Sequence, residues 1–267
     1  LGYDRRVTIY DTADSERVMK DALRQLNLDE KSFPPRLMLS IMSKFKDQMM
    51  TPAQAMEHAK RENDFRMQKA ALCYEVYQAA LLAASAVDFD DIILLTVRLL
   101  QEFEDVRTYY QQKFRYVMID EYQDTNYLQY LLSSLLAGGH ENICVVGDDD
   151  QSIYRFRGAT IDNILSFEKQ YQGARTIRLE QNYRSTKSIL NAANAVIAHN
   201  HGRKGKTLWT DNSQGDPIKL YEAHSESDEA NFVASRIFTL VQSCCYRDIA
   251  VLYRTNAQSN AIERALK

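Results

Sequence analysis

Tyr116-Val117-Met118-Ile119-Asp120-Glu121-Tyr122-Gln123-Asp124 is the stretch on which the reading of this chain turns. Four residues of strand chemistry, aromatic or β-branched for the most part, run directly into two adjacent carboxylates. At the end of a buried strand such a pair is costly unless something cationic meets it. A nucleotide-bound Mg²⁺ would do so: in P-loop ATPases an Asp at this place holds the metal, and a neighbouring Glu can orient and deprotonate water. Taken alone, the same letters also describe a solvated acidic turn after a strand.

Working outward, a second apolar run at 143–146 ends in Gly147-Asp148-Asp149-Asp150-Gln151-Ser152-Ile153-Tyr154-Arg155-Phe156-Arg157-Gly158-Ala159. Three consecutive carboxylates repel one another and need a hydrated metal or a cationic neighbour. Gln151 is a neutral amide able to reach a phosphate oxygen. Tyr154 and Phe156 alternate with Arg155 and Arg157, which suits a single strand of nucleic acid, the rings stacking on bases and the guanidinium groups meeting phosphates. The alternative is a capped loop with two core aromatics. A third run at 176–179 leads to Glu180-Gln181-Asn182-Tyr183-Arg184-Ser185-Thr186. Arg184 stands just before a helix start, where the helix end is already positive. An anionic ligand explains a cation there, as does a structural salt bridge.

Two further β-rich runs, 218–221 and 249–253, alternate with helical stretches at 127–137, 161–171, 187–199, 228–241 and 257–267. Alternating strand and helix predicts an α/β fold with parallel sheets covered by helices, and ligands in such sheets sit at the carboxyl ends of strands. The first third reads as helices. Thr51-Pro52-Ala53-Gln54 is a helix start, with Thr as cap, Pro at the first position and Gln three residues on. Apolar residues recur at helical spacing through 65–87, and no stretch there alternates like a strand. Asp88-Phe89-Asp90-Asp91 opens a helix over 92–103, its acids matching the positive helix end.

The composition excludes several classes. The chain has 267 residues, 33 Lys+Arg against 36 Asp+Glu, 45% apolar and 26% charged residues, as in an ordinary globular protein of one large or two ordinary domains. The acidic excess lies in 88–177, with 15 acidic and 8 basic residues, so nucleic-acid binding depends on locally placed Lys and Arg. The longest nearly pure apolar run, 79–87, is about half the ~20 residues of a membrane helix. Four cysteines without a CxxC pair read as reduced thiols in the cytoplasm. Gly202-Arg203-Lys204-Gly205-Lys206-Thr207 looks like a phosphate loop, but that motif needs four residues between its glycines and this stretch has two. It reads as a basic surface loop. A start at Leu1 and a stop inside a helical pattern create the expectation of a longer parent.

Taken together and in order, residues 87–91, 119–126, 146–159, 179–186 and 253–259 resemble motifs of the superfamily 1 DNA helicases of the UvrD/PcrA/Rep group. The resemblance implies an α/β fold in which a helical subdomain is followed by parts of two RecA-like parallel-sheet motor domains. Residues 1–87 would be the helical insert of the first motor, 88–177 its C-terminal half, and 178–267 the N-terminal part of the second. It implies ATP and Mg²⁺ as cofactors, single-stranded and duplex DNA as partners alongside repair or replication proteins, a cytoplasmic location, and no membrane. By resemblance Asp120 serves Mg²⁺, Glu121 activates water, Gln151 senses the γ-phosphate, Tyr183 stacks on adenine and Arg184 acts as an arginine finger. Tyr154 and Phe156 would stack on bases, with Arg157 in the same nucleic-acid-binding set. Two positions depart from the family pattern: Phe156 stands where Trp is usual, and Asn260 where an Arg follows Gln-Ser. The family's phosphate loop lies before Leu1 and its late motor motifs after Lys267, so the 267 residues alone are not expected to turn over ATP. Two competing readings are a non-catalytic nucleic-acid or partner-binding module built from helicase parts and the motor part of a helicase–nuclease.

Overall fold

A computed structural model describes the chain apart from residues 201, 202 and 204 and the side chain of Arg157. It divides into two compact units. One comprises Leu1–Leu179 with Ile197–Lys206, the other Glu180–Val196 with Thr207–Lys267.

The first unit begins with β1 (Thr8–Ile9) and four helices, α1 (Thr12–Gln25), α2 (Pro35–Asp47), α3 (Pro52–Arg61) and α4 (Phe65–Ala83). Each start has a local cause. Asp11 and Asp64 accept backbone N–H groups of the first turns of α1 and α4, and Thr51 with Gln54 forms the reciprocal cap expected from the sequence. Pro35 and Pro52 sit where a missing N–H costs nothing. The four helices close on a core of Met19, Leu23, Met38, Phe45, Tyr77 and Leu81.

β2 (Ala86–Val87) pairs in parallel with β1, Thr8 opposite Ala86. This two-residue ladder corrects the strand-free reading of the first third, since pairs so short leave no alternation to read. α5 (Phe89–Glu102) follows, capped reciprocally by Asp88 and Asp91, then α6 (Glu104–Lys113). β3 (Val117–Ile119), α7 (Tyr127–Ala137) and β4 (Ile143–Val145) form a strand–helix–strand unit. Its strands are parallel, in the register Val117–Ile143, Met118–Cys144 and Ile119–Val145. Leu94, Val97 and Leu128 pack α5 against α7. The α/β class expected from the sequence is therefore present, with parallel sheets of two strands each.

The sheet is less buried than the apolar runs imply: Met118 is 76% exposed and Cys144 is also exposed. Beyond β4, the helix expected over 161–171 is two four-residue pieces, α8 (Asp162–Leu165) and α9 (Phe167–Gln170). Between them the Ser166 hydroxyl donates back to the Asp162 carbonyl, a bond that bends helices.

The second unit holds α10 (Lys187–Ile197), α11 (Glu226–Leu240) and α12 (Ser259–Leu266). The strands expected at 218–221 and 249–253, and at 176–179 at the end of the first unit, are not formed; the segments carry no ladder and leave side chains such as Leu220 95% exposed. A strand exists through its partner, and the ladder pairing left in this unit is a single parallel bridge, Gln181 with Trp209.

Candidate functional site

Parallel pairing of β3 and β4 sends both following loops out at the same sheet end, where an open α/β sheet places its ligands. The Val146 N–H bonds the Ile119 carbonyl at 2.8 Å and the Tyr122 N–H bonds the Val146 carbonyl at 2.9 Å, so the loops stay fastened past the ladder. Asp120, Glu121 and the segment 147–151 are thus gathered in one place.

Glu121 carries the sharpest feature. It has φ +50° and ψ +42°, the left-handed region, and precedes a 3₁₀ turn over Tyr122–Asp124. A non-glycine residue there stores on the order of 1–3 kcal/mol of strain; Asn27, Met49, Asn63, Ser85 and Glu141 share the positive φ, so what sets Glu121 apart is its side-chain partner. The conformation is held by several contacts. The Asp120 carboxylate accepts the Glu121 N–H at 2.9 Å, and the Gln123 amide donates to Glu121 Oε2 at 2.8 Å. Asp120 and Glu121 are both exposed, so their carboxylates are open to a ligand from solvent.

Gln151 lies in the 3₁₀ turn Asp149–Gln151 and donates its amide to Asp148 Oδ2 at 2.8 Å. The three consecutive Asp residues find the cationic neighbours that their repulsion requires. Arg203 grips Asp150 with two bonds, Nε to Oδ1 at 2.8 Å and Nη2 to Oδ2 at 2.6 Å. Lys206 bonds Asp148 and approaches Asp149 at 3.7 Å and Asp150 at 3.8 Å. Burial drives the Asp148 carboxyl upward, but the Lys206 ammonium, the Gln151 amide and the Asp150 N–H outweigh it and leave it below the ordinary carboxylate range. Arg203 and Lys206 are half-buried against the acidic triad, while Gly205 of the same loop is exposed. Gly202 and Lys204 of that loop lie outside the described residues.

The aromatic pair is not core. Phe156 is 74% and Tyr154 36% exposed, with ring centroids 5.9 Å apart and planes tilted by 39°. Tyr154 precedes and Phe156 lies within the 3₁₀ turn Arg155–Arg157, which ends at Gly158, φ +87°, a conformation few side chains adopt. The expected role of the Arg157 side chain lies outside the described residues. The loop is fastened to the segment after Glu121: Thr160 N–H bonds the Thr125 carbonyl at 3.1 Å, and Asn163 bonds the Thr125 hydroxyl at 3.0 Å.

In the second unit, Tyr183 is 79% exposed, its hydroxyl donating to Gln181 at 2.9 Å. Asn182 Oδ1 accepts the N–H groups of Arg184 and Ser185 at 3.0 and 2.7 Å, shaping the turn before α10. Arg184 is exposed and, among the described residues, forms no ion pair, so a structural salt bridge does not account for it.

Sequence reasoning passed over Gln123 and Asp47. Gln123 was legible only as an amide two residues beyond Glu121. Asp47, at the end of α2, gave no local signal, since its partner Asn126 lies 79 residues away.

Comparison with known proteins assigns the family. Residues 1–172 match the UvrD/REP helicase N-terminal domain and residues 177–267 the UvrD-like helicase C-terminal domain, and the chain belongs to this family. It is 51% identical over 264 residues to an ATP-dependent DNA helicase PcrA of Staphylococcus epidermidis and 50% identical over 264 residues to one of Staphylococcus aureus. Each alignment takes 98% of this chain and 36% of the relative's length. Among the described residues no helix is long and apolar enough to cross a membrane.

Proposed function

We propose that the chain is part of a cytoplasmic, ATP-driven helicase that moves along single-stranded DNA and unwinds duplex in repair or replication. The observation that carries this reading is the Glu121 carboxylate beside Asp120 at the end of β3, held by the buried amide of Gln123. A solvated acidic turn has no need of a buried amide spent on one carboxylate. Glu121 is the general base for the attacking water. Asp120, an exposed carboxylate at a strand end, suits Mg²⁺, a hard cation that takes oxygen ligands and keeps several waters. When bound, the metal neutralises phosphate charge. Gln151 would exchange its bond to Asp148 for the γ-phosphate; in the second unit Arg184 would serve a phosphate and Tyr183 would stack on adenine. Tyr154 and Phe156 offer faces to bases, with Arg157 beside them. The regions 1–87, 88–177 and 178–267 are the helical insert, the rest of the first motor and the start of the second. No GxxxxGK[ST] occurs in the 267 residues, so the phosphates lack their backbone cradle and Lys, and this chain alone should be inactive.

The test is ATP hydrolysis by a full-length protein containing this chain, with and without Glu121→Gln. The amide keeps size and hydrogen bonding but cannot take the proton, so turnover should fall about 10²–10⁴-fold while ATP still binds. A variant keeping more than about a third of parental turnover would remove Glu121 from the base role.

A further inference from the structure

We propose that Gln123 is a positioning residue that aims the Glu121 carboxylate and ties it to the loop bearing Gln151. This rests on the reading of Glu121 as the base. Gln123 is 1% exposed and uses both ends of its amide. Nε2 donates to Glu121 Oε2 at 2.8 Å, and Oε1 accepts the Asp148 N–H at 2.9 Å. The amide orientation is forced, since a flip would set oxygen against carboxylate and NH₂ against N–H.

The line continues on the far side. Asp148 accepts the Gln151 amide on Oδ2 at 2.8 Å and the Gln151 N–H on its carbonyl at 2.9 Å. Glu121, Gln123, Asp148 and Gln151 are therefore joined by consecutive bonds of 2.8–2.9 Å. The backbone is shaped around this amide. A Cβ on Gly147 would stand 2.6 Å from Gln123 Oε1 and 2.8 Å from Ile164 Cδ1, so glycine leaves the space the amide occupies.

The fold does not require that the partner of this amide be Glu121. Glu121 is exposed, and water would satisfy its carboxylate without help. The bond satisfies a buried donor, worth about 1–3 kcal/mol to the fold, and it also removes the freedom of a long side chain whose aim decides catalysis. Misplacing a reacting group by about 1 Å can cost about 100-fold in rate. When Gln151 turns from Asp148 to a phosphate, the change reaches Glu121 through one amide.

The experiment is a double-mutant cycle on ATP hydrolysis in a full-length protein containing this chain. Gln123→Met keeps the buried volume and removes both bonds. It should lower kcat about 10–100-fold with KM for ATP within about twofold. In a Glu121→Gln background the same change should lower the residual rate less than about threefold, because its effect runs through Glu121. Equal factors in both backgrounds, or a Gln123→Met enzyme with more than half of parental kcat, would overturn the proposal and leave Gln123 a packing residue. If circular dichroism shows Gln123→Met unfolded, Gln123→Glu replaces it in the cycle, keeping an acceptor for Asp148 N–H and turning an oxygen toward Glu121, with the same outcomes expected. Loss of turnover in Glu121→Gln with none in Gln123→Met defeats this inference alone; full turnover in Glu121→Gln defeats the base assignment and this inference with it.

Discussion

Asp47, the last residue of α2, accepts a hydrogen bond from the Asn126 side chain at 2.9 Å, joining the helical part of the first unit to the segment that follows Glu121. Its other oxygen lies against Gly158, where a Cβ would come within 3.0 Å of it. The carboxylate thus touches both the cap of α7 and the turn that closes the aromatic loop.

That placement makes stability depend on pH. Burial first, then the charge of Asp90, pushes the Asp47 carboxyl up to about 6 from 3.8. The folded state keeps a proton that the unfolded state releases. The favourable contribution is complete below pH 3.8 and is lost as pH rises through about 6. Asp47→Asn removes the titration and keeps an acceptor for Asn126. Relative to the parent, the variant should gain stability between pH 4.5 and 7.5 by about 1 kcal/mol, a figure reduced because the group is partly solvated. Urea denaturation of this chain at both pH values measures it; an identical difference between variant and parent at the two would exclude the mechanism.

Lys46, one residue earlier, should be far less tolerant. Its ammonium is 0% exposed and lies 2.7 Å from Asp88 and 2.8 Å from Asp91, while the Tyr77 hydroxyl donates to Asp88 at 3.0 Å. Asp88-Phe89-Asp90-Asp91, read as a helix opening, is thus also one side of a buried ion cluster. Removing one partner strands the others, at a cost of about 3–5 kcal/mol. Lys46→Met should lose that much at pH 7 and less near pH 5. Burial already holds the Asp91 carboxyl above its ordinary value, and without Lys46 it takes up a proton more readily. Thermal unfolding at the two pH values tests this; a loss below about 1 kcal/mol at pH 7 would show that the cluster contributes no net stability.

Local chemistry made much of the fold legible, and distant pairing made the rest silent. The cap at Thr51, the strands flanking α7 and α7 itself follow from neighbouring letters. The β1–β2 ladder joins residues 78 apart, Thr8 with Ala86, and nothing local announces it. The segments at 218–221 and 249–253 have β-rich letters, yet Leu220 and Leu252 are nearly fully exposed and no ladder forms. Side-chain preference prepares a strand, and a hydrogen-bonded neighbour makes it one. The same division holds at the site. Asp120, Glu121 and Gln151 were visible as carboxylates and an amide at strand ends. Gln123 and Asp47 act through partners that only the folded chain supplies.

The exposed aromatic pair gives the last prediction. Phe156 is 74% exposed, so Phe156→Ala removes little packing from the fold and should leave thermal stability nearly unchanged. The ring is held beside Tyr154 on a turn closed by Gly158 and by the Thr160–Thr125 bond, and in the proposed reading it would offer its face to a base. Each base–aromatic stack is worth about 1–3 kcal/mol. In a full-length protein containing this chain, Phe156→Ala should weaken binding of an unstructured single strand by that amount. The slope of affinity against salt should stay the same, because it counts displaced counterions and no phosphate contact has been lost. Phe156→Trp should bind at least as tightly as the parent, since the larger ring adds stacking area. Fluorescence anisotropy with a labelled oligonucleotide at several salt concentrations separates the cases. Unchanged affinity in Phe156→Ala would remove the ring from the DNA path, whereas a flatter salt slope would mean that the substitution displaced neighbouring Arg side chains.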